Sequence, residues 1–298
     1  MHIRPDRDLS AFGVALSSLD KVLWPAAGFT KGRMLDYYAR VAPALLPHMA
    51  DRPLTLGRFP EGVEGPGFAQ IECRGRPDWM ETAQVRLRDG RMRNFCLVRD
   101  VRSLLWVANL GTIELHVFLG AGRALERPAA VLFDLDPEPP AGLADACRVA
   151  LLVRDRLSVH GLRAVVKTTG GSGLHVLVPL NSPHTYTQTR GFARELASSL
   201  VARFEGVVAT ATRRDRRAGT VLIDWAQNHE RRSMIAPYSL RANVVPLVST
   251  PLSWEEVERG GASLLFGPAE ALERIERLGD LFEPAVRDVQ SLPGSGGC

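Results

Sequence analysis

Two hydrophobic periods run through this chain and divide it into strands and helices. From Val131 to Pro137 the sequence reads Val-Leu-Phe-Asp-Leu-Asp-Pro, an apolar run that takes up two carboxylates and is stopped by proline. The side-chain period of a strand is two, so Asp134 and Asp136 leave one face roughly 6 to 7 Å apart while Phe133 and Leu135 leave the other. Further strands are predicted over 163–167, over Val176 to Val178, and from Val221 to Asp224, where a β-branched run again ends in a carboxylate. From Val85 to Phe95, arginines alternate with apolar residues about an Asp89-Gly90 turn. This is a hairpin signal that puts Arg86, Arg88, Arg91 and Arg93 on one exposed face, as in a charge-protected edge strand.

The helical period appears between these strands. Thr30 is placed to cap a helix to about Met49, whose Met34, Tyr37, Tyr38, Val41 and Leu45 share a face, although Pro43 and Pro47 blur its end. Gly142 to His160 carries the stripe Val149, Leu152, Val153 and Leu157 and closes at Gly161. Residues 104–118 read as a core helix followed by a strand, and further helices are predicted at Tyr186 to Phe204, Trp254 to Arg259 and Pro268 to Leu278. The whole is a mixed α+β pattern. Strand, helix and strand over 130–167 predict a right-handed crossover that sets the 163–167 strand beside the Val131 strand. A single domain over 1–298 is expected, divided near 10–125, 126–250 and 251–298.

Composition changes this picture little. The 298 residues are 45% hydrophobic and 23% charged, the balance of an ordinary globular chain. The net charge of +4 permits a polyanionic partner without requiring one. The sequence has no signal peptide and no apolar run near 18 residues, so a cytoplasmic protein without membrane contact is expected. Cys73, Cys96, Cys147 and Cys298 show neither a CxxC pair nor zinc spacing, so reduced thiols are expected.

Chemistry enters where apolar runs end. Like charges side by side call for a shared cation or proton, and an oxygen-only donor set favours magnesium or manganese. The stretch from Lys167 to His175 (Lys-Thr-Thr-Gly-Gly-Ser-Gly-Leu-His) is a glycine-rich turn whose bared N–H groups suit phosphate, though its spacing fits neither GxGxxG nor the P-loop. With Asp224 as a third acid, the constellation is that of metal-assisted nucleotidyl transfer.

At this point the chain resembles the polymerase domain of bacterial ATP-dependent ligase D, the non-homologous end-joining branch of the archaeo-eukaryotic primase superfamily. Asp-Leu-Asp-Pro at 134–137, Thr-Thr-Gly-Gly-Ser-Gly-Leu-His at 168–175 and Asp-Trp-Ala-Gln-Asn at 224–228 match its three active-site motifs in order. Blocks at 20–25, 29–31, 111–116 and 236–241 match as well, and the likeness runs from about residue 10 to 285. It implies a primase-like core of mixed sheets flanked by helices. Asp134, Asp136 and Asp224 would bind two divalent ions, Mn2+ or Mg2+. His116, Thr169, Ser172, His175, Arg217, Gln227 and Arg241 would hold an NTP or dNTP, with ribonucleotides favoured. Lys21 and Lys31 would bind the 5′-phosphate of a downstream strand, and Arg58 and Phe68 would meet the template. The 85–95 loop would help hold two DNA ends together.

The implied partners are DNA with a gap or 3′ overhang and a 5′-phosphate, Ku and a separate ATP-dependent DNA ligase, met by a monomer. The chain departs from the family at Ala69, Ile71 and Ser172, which replace a second aromatic and two lysines, and at Thr169, where serine is usual. Lys167 is placed to compensate for the charge missing at Ser172. Primase-like or base-excision gap filling on the same scaffold, and a non-catalytic DNA-end-binding module, are the other two readings, the last calling for a missing acid.

Overall fold

Thr30 caps the first long helix as its sequence predicts, its hydroxyl accepting from the Arg33 N–H. The structure is a computed structural model and describes residues 9–87, 89–122, 124–210, 218–261 and 264–294. A short antiparallel pair, β1 (Val22–Trp24) and β2 (Phe29–Thr30), leads into α1 (Lys31–Met49), which runs through both Pro43 and Pro47. Four strands follow, β3 (Leu54–Arg58), β4 (Phe68–Gln70), β5 (Thr82–Arg86) and β6 (Met92–Cys96), then α2 (Val101–Asn109) and β7 (Thr112–Phe118). The second half contains β8 (Ala130–Pro137), α3 (Leu143–Val159), β9 (Val165–Thr168), β10 (Leu174–Pro179), α4 (Tyr186–Arg203), β11 (Val208–Ala209) and β12 (Val221–Asp224). The chain closes with β13 (Ser233–Ile235), β14 (Leu240–Arg241), β15 (Leu247–Val248), β16 (Pro251–Leu252), α5 (Trp254–Arg259), α6 (Pro268–Leu278) and α7 (Pro284–Arg287).

Two six-stranded sheets organise these elements. The first has the order β13-β7-β3-β6-β5 with β4 on the edge of β3, and the second the order β11-β12-β8-β10-β9-β16. Alternation assigns their faces. Leu54 and Leu56 pair with Val117 and Leu115 and sink into a core with α1 and α2, while Thr55 and Gly57 pair with His116 and Glu114 on the opposite face. In the second sheet Phe133, Leu135, Val176 and Ile223 join α3 and α4 in a separate core. On the other face of β8, Ala130 and Leu132 belong to the first core, and beyond them Asp134 and Asp136 emerge.

Three sequence readings are corrected here. The 163–167 strand, β9, does not lie beside the Val131 strand, because β10 stands between β8 and β9 and pairs antiparallel with both. The glycine turn folds the chain straight back, and that local hairpin takes the slot that the crossover leaves open. The cysteines are not all reduced thiols: Cys73 and Cys96 form a disulfide with their Cα atoms 5.0 Å apart, while Cys147 is free and buried. The segment after β4 doubles back so that the Cys73 N–H donates to the Asn94 carbonyl, which sets the two thiols together. The arginines of the 85–95 hairpin do not share one face, since Arg86 pairs with Met92 and Arg93 with the buried Val85. The loop carries one residue more than a two-residue turn, which shifts the second strand by one position. Arg88, the 213–217 arginine run with Arg217, and the tail 295–298 with Cys298 lie outside the described residues.

Candidate active site

Register places the acids. Asp224 of β12 and His175 of β10 both stand directly across from Asp134, and Lys167 of β9 stands across from His175. Directly opposed residues share a face, so a row Asp224, Asp134, His175, Lys167 crosses the second sheet with Asp136 two residues along β8. Asp134 Oδ1 lies 3.2 Å from His175 Nε2, and Oδ2 accepts from Gln227 Nε2 at 3.3 Å. Burial works to raise the pKa of Asp134, but the histidine, the Lys167 charge and the Gln227 bond hold it below the ordinary carboxylate value. Burial and the Lys167 charge push His175 down, against the pull of Asp134. Lys167 is fully buried and lowered well below a usual lysine, first by burial and then by Arg241, and it donates to Ser249 Oγ at 2.6 Å.

After Asp224 the chain turns. Asp224 Oδ1 accepts from the Ala226 N–H at 3.0 Å and starts a 3-10 turn over Trp225–Gln227, which brings Gln227 back toward Asp134. Asn228 then performs a role the sequence reading did not assign. Its Oδ1 accepts from the Leu132 N–H at 2.9 Å and its Nδ2 donates to the Leu132 carbonyl at 2.7 Å. The fully buried amide thus continues the ladder on β8 where β12 has ended, which fixes the strand two residues before Asp134.

The opposite wall comes from the first sheet and from β14. A cavity of about 210 Å3 is lined by Asp134, Asp136, Thr169, His175 and Gln227 on one side and by His116, Ile235 and Arg241 on the other. A more apolar cavity of about 310 Å3 adjoins it, with Phe59, Phe68, Ala69 and Glu114 in its walls and His116 and Ser233 common to both. Ser172 is exposed in the glycine turn and is not among the lining residues. Among the described residues, no group of three or more His, Cys, Asp or Glu side chains is placed so as to hold a metal ion. Glu114 is the site residue that the sequence reading quoted without a role. It lies two residues from His116 on the same strand face, and that alternation was the available signal.

The other predicted residues cluster away from the acids. The Lys31 N–H donates to the Lys21 carbonyl at 2.8 Å, which joins the two lysines at the start of α1. Lys21 Nζ is 2.8 Å from Glu61, an exposed pair, whereas Lys31 is buried. Burial, then the charges of Lys21 and Arg58, lower the pKa of Lys31. Arg58 is engaged by the protein itself: Nε and Nη2 donate to the Leu110 carbonyl and Nη1 to Gln70 Oε1. Its guanidinium lies 5.3 Å from the centre of the half-exposed Phe68 ring. Structure therefore brings together the acids, His116, Thr169, His175, Gln227 and Arg241 in one place, and Lys21, Lys31, Arg58 and Phe68 in another.

A mixed-sheet domain with carboxylates at the end of one strand, a glycine turn beside them and an arginine opposite has the form of a nucleotidyltransferase domain of the primase-polymerase class. Residues 30–282 match the family described as "LigD, primase-polymerase domain", and the chain belongs to that family. It is 37% identical over 279 residues to the multifunctional non-homologous end joining DNA repair protein LigD of Mycobacterium tuberculosis H37Rv, covering 91% of this chain and 36% of that protein. It is 28% identical over 278 residues to the bifunctional non-homologous end joining protein LigD of Bacillus subtilis, covering 93% of this chain and 45% of that protein. The chain thus spans less than half the length of each of these two relatives. Among solved structures, it is similar to the "Polymerase Domain from Mycobacterium tuberculosis Ligase D in complex with DNA", with a TM-score of 0.87 and 35% identity over 93% of this chain and 99% of that one. Among the described residues, no helix is long and apolar enough to cross a membrane.

Proposed function

We propose that this domain adds nucleotides, preferentially ribonucleotides, to a primer 3′ end at DNA gaps and breaks in end joining or gap repair. The observation that carries the reading is Asp134, Asp136 and His175 facing His116 and Arg241 across one cavity, with Asp224 directly across the ladder from Asp134. Asp134, Asp136 and Asp224 supply an oxygen-only donor set, and Asp134 is held ionised in spite of burial, which fits Mg2+ or Mn2+. Two such ions, when bound, would activate the primer hydroxyl and neutralise the triphosphate. The protein's own part is positioning: His116, Thr169, His175, Gln227 and Arg241 line the cavity and would orient the nucleotide. The similar polymerase domain was solved in complex with DNA, which supports a DNA partner here, and Lys21 with Lys31 would hold the 5′-phosphate while Arg58 and Phe68 would meet the template. Ku and a separate ATP-dependent ligase are the partners this reading calls for, acting with a cytoplasmic monomer.

Extension on gapped duplexes tests the reading. Wild type should prefer GTP to dGTP, and should favour a gap with a 5′-phosphate by roughly ten-fold at moderate salt, the worth of a charge-assisted contact. The double variant Lys21→Ala with Lys31→Ala should lose that discrimination and still extend a simple primed template. Equal extension of both gap forms by wild type, together with activity on unprimed template, would move the assignment to priming.

A further inference from the structure

We infer that Glu114 is a positioning residue of this site, its carboxylate holding Arg241 and His116 toward the cavity that takes the nucleotide. The inference rests on the reading of that cavity as the nucleotide's. Glu114 does not line the carboxylate cavity, whereas His116 and Arg241 do. One of its oxygens, Oε1, lies 3.1 Å from Arg241 Nε and accepts from the Ala242 N–H at 3.1 Å. The other, Oε2, is 3.0 Å from His116 Nε2. A single anion is thus bonded to both nucleotide-facing side chains and to the backbone that carries one of them.

The surroundings are built for this anion. Its side chain is 15% exposed, and although burial works to raise its pKa, His116, Arg241 and the Ala242 N–H together hold it below the ordinary glutamate value. Glycines clear space on both sides of the pair. Gly57 stands across the ladder from Glu114, and a Cβ there would come within 2.8 Å of the Glu114 Cβ. A Cβ on Gly170, which has φ +79°, would come within 2.4 Å of Arg241 Cγ. The carboxylate also answers an electrostatic problem. Arg241 shares its cavity with Asp134 and Asp136. Without a counter-charge of its own it would be drawn onto those acids and would compete for the oxygens that hold a cation. The Arg241 contact runs through Nε, so the guanidinium is gripped at its stem side.

The test measures nucleotide binding apart from chemistry. GTP with Mn2+ is titrated against wild type, Glu114→Gln, Arg241→Ala and the double variant, and KM and kcat are followed on a primed template. Glu114→Gln keeps the size and an acceptor for the Ala242 N–H, so the thermal midpoint and the affinity for gapped duplex should hold. Affinity for GTP should fall about ten-fold or more, as when an outer partner of a binding group is removed. In the Arg241→Ala background the same change should add little, since the two act as one unit. Unchanged GTP affinity in Glu114→Gln, or losses that multiply fully in the double variant, would overturn the inference. Should Glu114→Gln fail to fold, Arg241→Lys probes the pair from the other side and should weaken GTP without moving the midpoint. A wild type that binds GTP yet extends no primer sinks the polymerase reading while leaving the Glu114 comparison intact.

Discussion

The two sheets that meet at the cavity hold their functional groups by different means. In the second sheet backbone register does the work: Asp224, Asp134, His175 and Lys167 are aligned because four strands are hydrogen-bonded in a fixed order. In the first sheet, side-chain contacts do it. Arg58 is bonded to the Leu110 carbonyl and Gln70, and Glu114 spans His116 and Arg241. Aligning groups by register puts the like charges of Asp134 and Asp224 directly across the ladder, and His175 and Lys167, set in the same row, offset that repulsion at Asp134. Around the first sheet, by contrast, Glu114 is paired with His116 and with Arg241 of β14, and these contacts stabilise the fold as they position the site.

This contrast orders the expected effects of mutation. The largest belongs to the second sheet, where Asp134→Asn or Asp224→Asn should lower nucleotide addition at least ~100-fold, with the thermal midpoint lowered, though only modestly, in Asp134→Asn, because His175, Lys167 and Gln227 stabilise the ionised Asp134. Asparagine still offers an acceptor to Gln227 or to the Ala226 N–H. Extension and melting measured on the same preparations decide the matter, and a collapsed midpoint would assign these acids to structure.

A smaller effect, on stability alone, belongs to the first sheet. The Cys73–Cys96 cross-link closes a sequence separation of 23 and ties the segment after β4 to the end of β6. Closing such a loop is worth about 3 kcal/mol. Reduction, or Cys73→Ser with Cys96→Ser, should lower the urea midpoint accordingly and leave the nucleotide KM alone. An unmoved midpoint would show that the cross-link does not form in solution.

The smallest effect concerns Asp280, which accepts from Tyr238 at 2.6 Å and lies 2.7 Å from His48, behind the strand that carries Arg241. Burial works to raise its pKa, but His48, Tyr238 and the Phe282 N–H hold it low. A carboxyl depressed in the folded state stabilises above its unfolded value, about 4, and that contribution is lost as the pH falls through the folded value. Asp280→Asn should therefore cost about 1 to 3 kcal/mol at pH 7 and progressively less below pH ~4. Denaturant melts at both pH values test this, and a cost that does not change with pH would assign the loss to packing.

What could be read from the sequence follows the same division. The alternation in Val131 to Pro137 assigns both acids to one face, and Thr30, Gly161 and the apolar stripes set the helices within a residue or two. The strand order was misread because a crossover and a hairpin make the same local pattern, and only long-range pairing shows that β10 occupies the slot beside β8. The arginine hairpin was misread because one extra loop residue inverts the facing of a strand. Cys73 and Cys96 gave no spacing signal, because their approach depends on how the segment after β4 returns.

By itself, then, the sequence determined which groups could do chemistry and which residues within one strand share a face, as with Asp134 and Asp136, since that alternation is fixed by dihedral angles within a few residues. The tertiary structure decided which charges meet and what protonation they keep. Lys31 and Lys167 look alike as two lysines in sequence, and Glu114 looks like one more strand-end polar residue. Burial lowers both lysines, while Arg241 and His116, brought in from the chain's long-range folding and from two residues away, hold Glu114 ionised. Burial and charge separation depend on distances between residues far apart in the chain, and no local pattern encodes those distances.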